Sequence, residues 1–217
     1  MGTPGETTPD PLAAVEARRR PATDAEAAAL ANVVRQRIVR LTGVEELTNR
    51  QLADRLGVDP ATSHYHLRIL LDAGLVEQLP TRAGRRGARE KPYRSTGRTW
   101  WLSDPLAGAP AGIRFGPVAL AVEDALAAGP EAVSTASTFF LHLSETEVDE
   151  FAGRLLEVID RYIATDSQRA DAGHPVRRGI VLLHRPAGTA APASPDTAPS
   201  APATRVPGSP RRSRLPG

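Results

Sequence analysis

"LTNRQLADRLGVDPATSHYHLRILLDAGLVEQL", Leu47 to Leu79, holds two helix starts, one glycine turn and a change of period within thirty-odd residues. Thr48 and Gln51 stand at capping-box spacing, so the first helix opens there and continues through Leu52, Ala53 and Leu56. Ala53 is small where a second helix has to cross closely, and Gly57 permits the left-handed backbone of a tight turn. Val58 plugs the gap beneath that turn. Asp59 then caps a second helix that carries Pro60 at its first position, where a missing N–H costs nothing. Leu67, Leu70 and Leu71 supply its buried face, and Gly74 ends it.

Ser63, His66, Leu67 and Leu70 share the inner side of this second helix, which leaves Ala61, Thr62, His64, Tyr65 and Arg68 facing out. The unit is a helix–turn–helix, and a helix delivered in this manner places its early exposed residues in a DNA major groove. His66 is expected to pack within the helical unit rather than to bind.

Upstream, "TDAEAAALANVVRQRIVRLTG" begins with Thr23 and Glu26 at capping-box spacing and predicts one helix ending near Gly43. Residues 1–22 lack sustained periodicity and predict a flexible arm with a helical turn near Leu12–Arg18. Downstream, "LVEQL" alternates apolar and polar residues as a strand does, and "PYRSTGRTWWL" predicts the return strand. Between them the chain turns basic. From Pro80 to Arg98 there are seven Arg or Lys and one acid, Glu90, a local charge of +6 in a chain whose total is +2. Trp100 and Trp101 are expected to anchor the base of this ribbon, one ring buried.

At this point the chain resembles a known family. Residues 23–102 are similar to the winged helix–turn–helix domain of arsenical-repressor (ArsR) type bacterial transcription regulators. The resemblance rests on "LANVVRQRIVRL", on the helix–turn–helix segment itself and on "GAREKPYRSTGRTWW". It implies a homodimer that binds a palindromic operator on double-stranded DNA, usually as a repressor. It also implies that Thr62, His64, Tyr65 and Arg68 lie at the major groove and that the hairpin from Arg82 to Arg94 is the wing. Arg82, Arg85, Arg86, Arg89, Lys91 and Arg94 then make sense as phosphate ligands, since each cation releases counterions and a guanidinium can hold a phosphate bidentately. Ser63 departs from the branched apolar residue common at its position. The chain has no cysteine, which rules out thiolate metal sensing, disulfides and cysteine catalysis. "GRRG", Gly84 to Gly87, matches the clamp loop of RNA-binding KH domains, but its flanks read as strands rather than helices.

The remainder predicts a second, smaller domain. "PVALAVEDALAAG" and "SETEVDEFAGRLLEVIDRYIATD" read as helices, the latter with Val148, Phe151, Leu155, Val158, Ile159 and Tyr162 in one apolar stripe. "STFFLHL" and "GIVLLH" read as strands. This half is acidic, with nine acids against two arginines between Pro117 and Thr165. From Pro186 onward eight prolines in thirty-two residues predict disorder. The expected architecture is α+β: a flexible arm at 1–22, a winged helix–turn–helix domain at 23–102, a small α/β domain for dimerisation or ligand sensing at 103–185, and a disordered tail at 186–217.

No cofactor is expected, and His142, His174 and His184 do not form a metal-binding pattern. No catalytic grouping stands out, so the chain is read as a non-enzyme. Its expected partners are DNA, a second copy of itself and a small-molecule effector, but no membrane. The default location is the cytoplasm, at the nucleoid, because no apolar leader or membrane span is visible. A single lysine, Lys91, among many arginines fits a GC-rich bacterial genome. The competing reading is a winged-helix interaction module that docks a protein or coats DNA without sequence preference.

Overall fold

A computed structural model describes residues 11–83 and 89–186; expectations for residues 1–10, 84–88 and 187–217 lie outside it. One compact unit runs through Leu182, and a second begins at Leu183, of which the described residues 183–186 carry neither helix nor strand.

The chain enters through α1 (Pro11–Glu16) and a two-residue strand β1 (Arg20–Pro21). It continues through α2 (Asp24–Leu30), α3 (Val33–Val44), β2 (Leu47–Thr48), α4 (Asn49–Leu56) and α5 (Pro60–Asp72). The strands β3 (Val76–Gln78), β4 (Arg82–Ala83), β5 (Arg89–Glu90) and β6 (Pro92–Ser95) follow, and β7 (Leu102–Ser103) pairs in parallel with β1. The remaining elements are helical: α6 (Ala111–Arg114), α7 (Gly116–Ala128), α8 (Glu145–Ile163) and α9 (Asp166–Asp171). The principal sheet has the order β2–β6–β3, antiparallel throughout, with Leu47 and Gln78 both opposite Tyr93. The core sits between this sheet and α2, α3, α4 and α5, around Leu30, Ile38, Leu52, Leu67, Leu70 and Leu75. Fully burying one such side chain contributes about 1.5–3 kcal/mol.

The single helix expected from Thr23 to Gly43 is two. Asn32 breaks it by acting as an N-cap, its Oδ1 accepting from Arg35 N at 3.2 Å. Arg35 closes the joint from the other side, donating through Nε to Ala29 O (2.5 Å) and through Nη2 to Ala28 O (2.8 Å). Those carbonyls end α2 and would otherwise lack donors. The return strand is also shorter than expected. It stops at Ser95, Gly97 turns left-handed at φ 70°, and Arg98–Trp101 form a 3-10 turn instead.

Residues 11–21, read as part of a flexible arm, include a helix whose Val15 is fully buried. α1 lies against α8, and the contact is close at Gly153, where a methyl group would collide with the backbone of Pro11 and Leu12. This crossing turns the α8 stripe away from the expected register. Gly153 and Asp160 are the buried positions, while Val158 and Tyr162 stay exposed. The strands expected at 137–143 and 179–184 do not form, and those residues carry neither helix nor strand. A strand exists only where its N–H and C=O groups are paired, and periodicity alone supplies no partner. Beyond β7 the described secondary structure is helical.

β1 is held to α2 by a buried charge. Arg20 grips Glu26 as a fork, Nη1 to Oε2 at 2.8 Å and Nη2 to Oε1 at 2.5 Å, and Glu26 is only 4% exposed. Glu26 also completes the capping box with Thr23. The Arg20 hydrogen bond, against the opposing push of burial and with help from Thr23, holds the Glu26 carboxyl down at about 2.

Two outcomes follow from these contacts. Gly153→Val should lower stability to denaturant by about 1–3 kcal/mol, because the α1–α8 crossing has no room to relax without separating the helices; an unchanged midpoint would mean the crossing is not formed. A carboxyl depressed in the fold stabilises above its ordinary pKa and loses that contribution as pH falls through the folded value. The wild type should therefore weaken between about pH 4.5 and pH 2, and Glu26→Gln should be weaker at pH 7 with a flatter acid limb. Parallel acid limbs for the two proteins would contradict the assignment.

Candidate nucleic-acid interface

α4 and α5 are set against each other by local chemistry. Thr48 caps α4 with Gln51 closing the box, and Gly57 ends it at φ 67°, ψ 33°, a left-handed conformation that favours glycine. The N–H groups of Gly57 and Val58 both return to Ala53 O, the latter at 3.1 Å. Asp59 then caps α5, accepting from Ala61 N at 2.9 Å and Thr62 N at 3.0 Å. Asn49 Nδ2 donates to Pro60 O at 2.9 Å, tying the start of one helix to the start of the next. Ala53 is 1% exposed at the crossing, as a close helix pair requires.

This packing decides which side of α5 faces out. Ser63, Leu67 and Leu70 are fully buried, and Ala61, His64, Tyr65 and Arg68 are exposed, Tyr65 by 63%. Positions 61, 64, 65 and 68 are spaced as one helical face. Thr62 is half-buried, and its hydroxyl is already engaged by Asp59 at 2.5 Å. The Asp59 carboxyl is held below its usual range by that hydroxyl and by the Thr62 and Ala61 N–H groups. His66 is partly buried; burial first, and the neighbouring Arg35 guanidinium second, push its pKa down. Ser63 is fully buried, and its hydroxyl has no hydrogen-bond partner, at a cost of about 1–3 kcal/mol.

The basic ribbon is built as β4 against β5, with Arg82 opposite Glu90 and Ala83 opposite Arg89. Arg89, Lys91 and Arg94 are exposed on it, and Arg85 and Arg86 lie outside the described residues. The fold brings acids to this ribbon from elsewhere in the chain. Arg82 Nη1 reaches Glu46 Oε2 at 3.0 Å and its Nε lies 3.6 Å from Glu90 Oε2. Arg94 meets Glu77 Oε1 at 3.0 Å across the sheet. Exposed pairs of this kind are worth about 0–1 kcal/mol, so either arginine can exchange its carboxylate for a phosphate at little cost.

Residues 30–78 match the model of a helix-turn-helix domain family. This segment is a helix–turn–helix domain. With the β2–β6–β3 sheet and the β4–β5 ribbon behind it, the domain is winged. No curated protein matches the chain. Among solved structures, one similar chain is the homodimeric winged helix-turn-helix DNA-binding domain, determined by solution NMR, of a possible ArsR-family transcriptional regulator from Mycobacterium bovis. It is 21% identical, spans 57% of this chain and 91% of its own, and superposes with a TM-score of 0.29.

Trp100 anchors the base of the winged domain through a polar contact. Its Nε1–H donates to Asp160 Oδ1 at 2.7 Å, and the Arg19 guanidinium lies 5.0 Å from its ring centroid while donating to Trp100 O at 3.2 Å. Both tryptophans are half-buried rather than one being enclosed. Asp160 was hidden from sequence reading because it looks like one more acid on a charged helix. Its buried position seven residues after Gly153 is the only local signal. His142, His174 and His184 are exposed, and among the described residues no group of three or more His, Cys, Asp or Glu could hold a metal ion.

Replacing Glu46 and Glu77 by Gln would release Arg94, leave Arg82 with Glu90 as its one carboxylate partner among the described residues, and remove two negative charges beside them. Affinity for any DNA duplex should rise roughly three- to tenfold at low salt, and the gain should fade as salt is added. Unchanged affinity in titrations at two salt concentrations would show that this side of the ribbon does not approach DNA.

Proposed function

We propose that this protein is a sequence-specific, DNA-binding transcription regulator, a repressor that acts as a homodimer on a palindromic operator and does not sense metal through cysteine. The observation that carries the reading is the outer face of α5: His64, Tyr65 and Arg68 project from a helix whose opposite side is locked into the core. Arg68 suits guanine, and Tyr65 and His64 can meet base edges or phosphate. Thr62, with its hydroxyl on Asp59, contributes through its methyl group and its position at the start of the helix. The ribbon residues Arg82, Arg89, Lys91 and Arg94, together with Arg85 and Arg86, serve as phosphate ligands that set affinity, while α5 sets sequence preference. A protein working on DNA in this way acts in the cytoplasm at the nucleoid. No helix among the described residues is long and apolar enough to cross a membrane.

The dimer is supported by where apolar surface lies. Except for Val33, Val44 and Tyr65, every large hydrophobic residue exposed among the described residues lies at Phe115 or beyond, including Leu126 at 78% and Phe140 at 90%. Exposed apolar surface of this kind, where it is contiguous, suits a partner. The region 103–185 is thus assigned to self-association, with ligand sensing beside it.

Fluorescence anisotropy with DNA from upstream of the protein's own gene, against a scrambled duplex, tests the function. The first should bind about a thousandfold or more tightly than the second. Arg89→Ala and Lys91→Ala should weaken both equally and lower the salt slope by roughly 0.9 for each phosphate that is no longer neutralised. Equal affinity for both duplexes would instead establish a non-specific DNA coat, and no binding at low salt would remove DNA from the account.

A further inference from the structure

A cavity of about 470 Å³ lies between α3, the base of the wing at Ser95 and Trp100, α7 and the chain at 176–178. Its size is that of a small-molecule site. Most of the wall is apolar, with Leu30, Val39, Leu106 and Leu120 at its centre and half-exposed Val44 among its outer residues. The polar part of the wall is unevenly charged. Arg40, Arg177 and Arg178 all line the space, and a single carboxylate, Asp124, is bonded to both Arg40 and Arg178, to the latter at 2.5 Å. Arg178 also donates to Pro117 O at 3.4 Å.

Arg40, Arg177 and Arg178, against Asp124 and with Glu123 acting on Arg40, leave net positive charge beside the apolar wall. Burial lowers the pKa of Arg40 and of Arg178; for Arg40 the repulsion of Arg178 and Arg37 adds to this, against a smaller opposing pull from Glu123. Two polar atoms buried behind the wall also lack hydrogen-bond partners. Arg40 Nε has no acceptor. Gln36, itself 4% exposed, donates through Nε2 to Leu30 O and Ile113 O, both at 2.9 Å, and its Oε1 has no donor. Such groups are normally satisfied in a finished structure. An anion placed against the arginines that line the space would balance their charge.

We propose that this cavity binds a small organic anion, a carboxylate on a mainly apolar body, and that this molecule is the regulator's effector. The effector role rests on the proposed DNA-binding function; the binding site does not. A ligand here touches α3, which leads into the helix–turn–helix, and Trp100 and Ser95 at the root of the wing, so it can favour one arrangement of these elements over another. Any resulting change in DNA affinity has to be matched by an equal change in ligand affinity when DNA is bound.

The test is calorimetric titration of the full chain, without DNA, using octanoate, phenylacetate and 2-hydroxybenzoate, each beside its neutral primary amide. At least one carboxylate should bind once per chain, with its amide about tenfold or more weaker. The double variant Arg177→Gln/Arg178→Gln should lose a similar factor for the carboxylate, and Val44→Trp should block the cavity with the arginines intact. Retention of the wild-type circular dichroism spectrum guards against misfolding in both variants. Absence of heat for every carboxylate up to about 10 mM, equal binding of acid and amide, or undiminished binding by the double variant would overturn the site. The anisotropy titration, repeated with the bound carboxylate at saturation, should show altered DNA affinity. A ligand that binds but leaves DNA affinity unchanged would overturn the effector role alone, whereas failure of DNA binding would leave the calorimetric result standing.

Discussion

The left-handed turn at Gly57, with Ala53 beneath it, fixes how α5 crosses α4, and the outward face of α5 and the direction of the wing depend on that crossing. A side chain with a Cβ at φ 67° would be strained, and a larger residue at position 53 would push the helices apart. Because Leu67 and Leu70 are drawn into the core from one side of α5, His64, Tyr65 and Arg68 have to emerge on the other. The same burial brings Leu75 and Val76 into the core, and with them the start of β3 and the direction of the wing. The exposed face of α5 is thus a consequence of packing on the opposite face of one helix.

Features with local causes were legible in the sequence. The capping boxes at Thr23, Thr48 and Ser144, the Asp59 cap with Pro60 behind it, and the glycine ends at Gly57 and Gly74 all sit where residue chemistry over three or four positions places them. The orientation of α5 followed from the spacing of its leucines. What the sequence concealed depends on distant partners. Asn32 competes with a continuous helix, and it wins because Arg35 can turn back to cap α2. The rotation of α8 follows from the approach of α1 to Gly153, and fewer wing cations stand free because Glu46 lies 36 residues before the arginine it neutralises. Apolar runs at 137–143 and 179–184 have strand-like composition, but their pairing is a property of the fold and not of the run.

The parts of the chain beyond the winged domain bear on it through few, specific contacts. Asp160 of α8 takes hydrogen bonds from Trp100 and Arg19, with Arg18 at 3.6 Å, so one buried carboxylate joins the amino-terminal segment, the root of the wing and a carboxy-terminal helix. α7 meets α3 nearby, and Asp124 links Arg40 of α3 with Arg178. Removing Arg19 from the buried Asp160 carboxylate should cost about 3–5 kcal/mol, since the charge is left without compensation, whereas the partly exposed Asp124 pairs are worth much less. Of these contacts, the one between Asp160 of α8 and Trp100 reaches the wing's base directly.

The claim that α5 reads sequence is tested most directly by selecting bound duplexes from a random pool, with the wild type and with His64, Tyr65 and Arg68 all replaced by alanine. The account predicts that the wild type enriches an inverted repeat with half-site centres about 10 base pairs apart, or a multiple of that spacing. It predicts that the triple variant, still folded and still binding DNA at low salt, enriches nothing. An identical motif from both proteins, or no motif from the wild type, would contradict it.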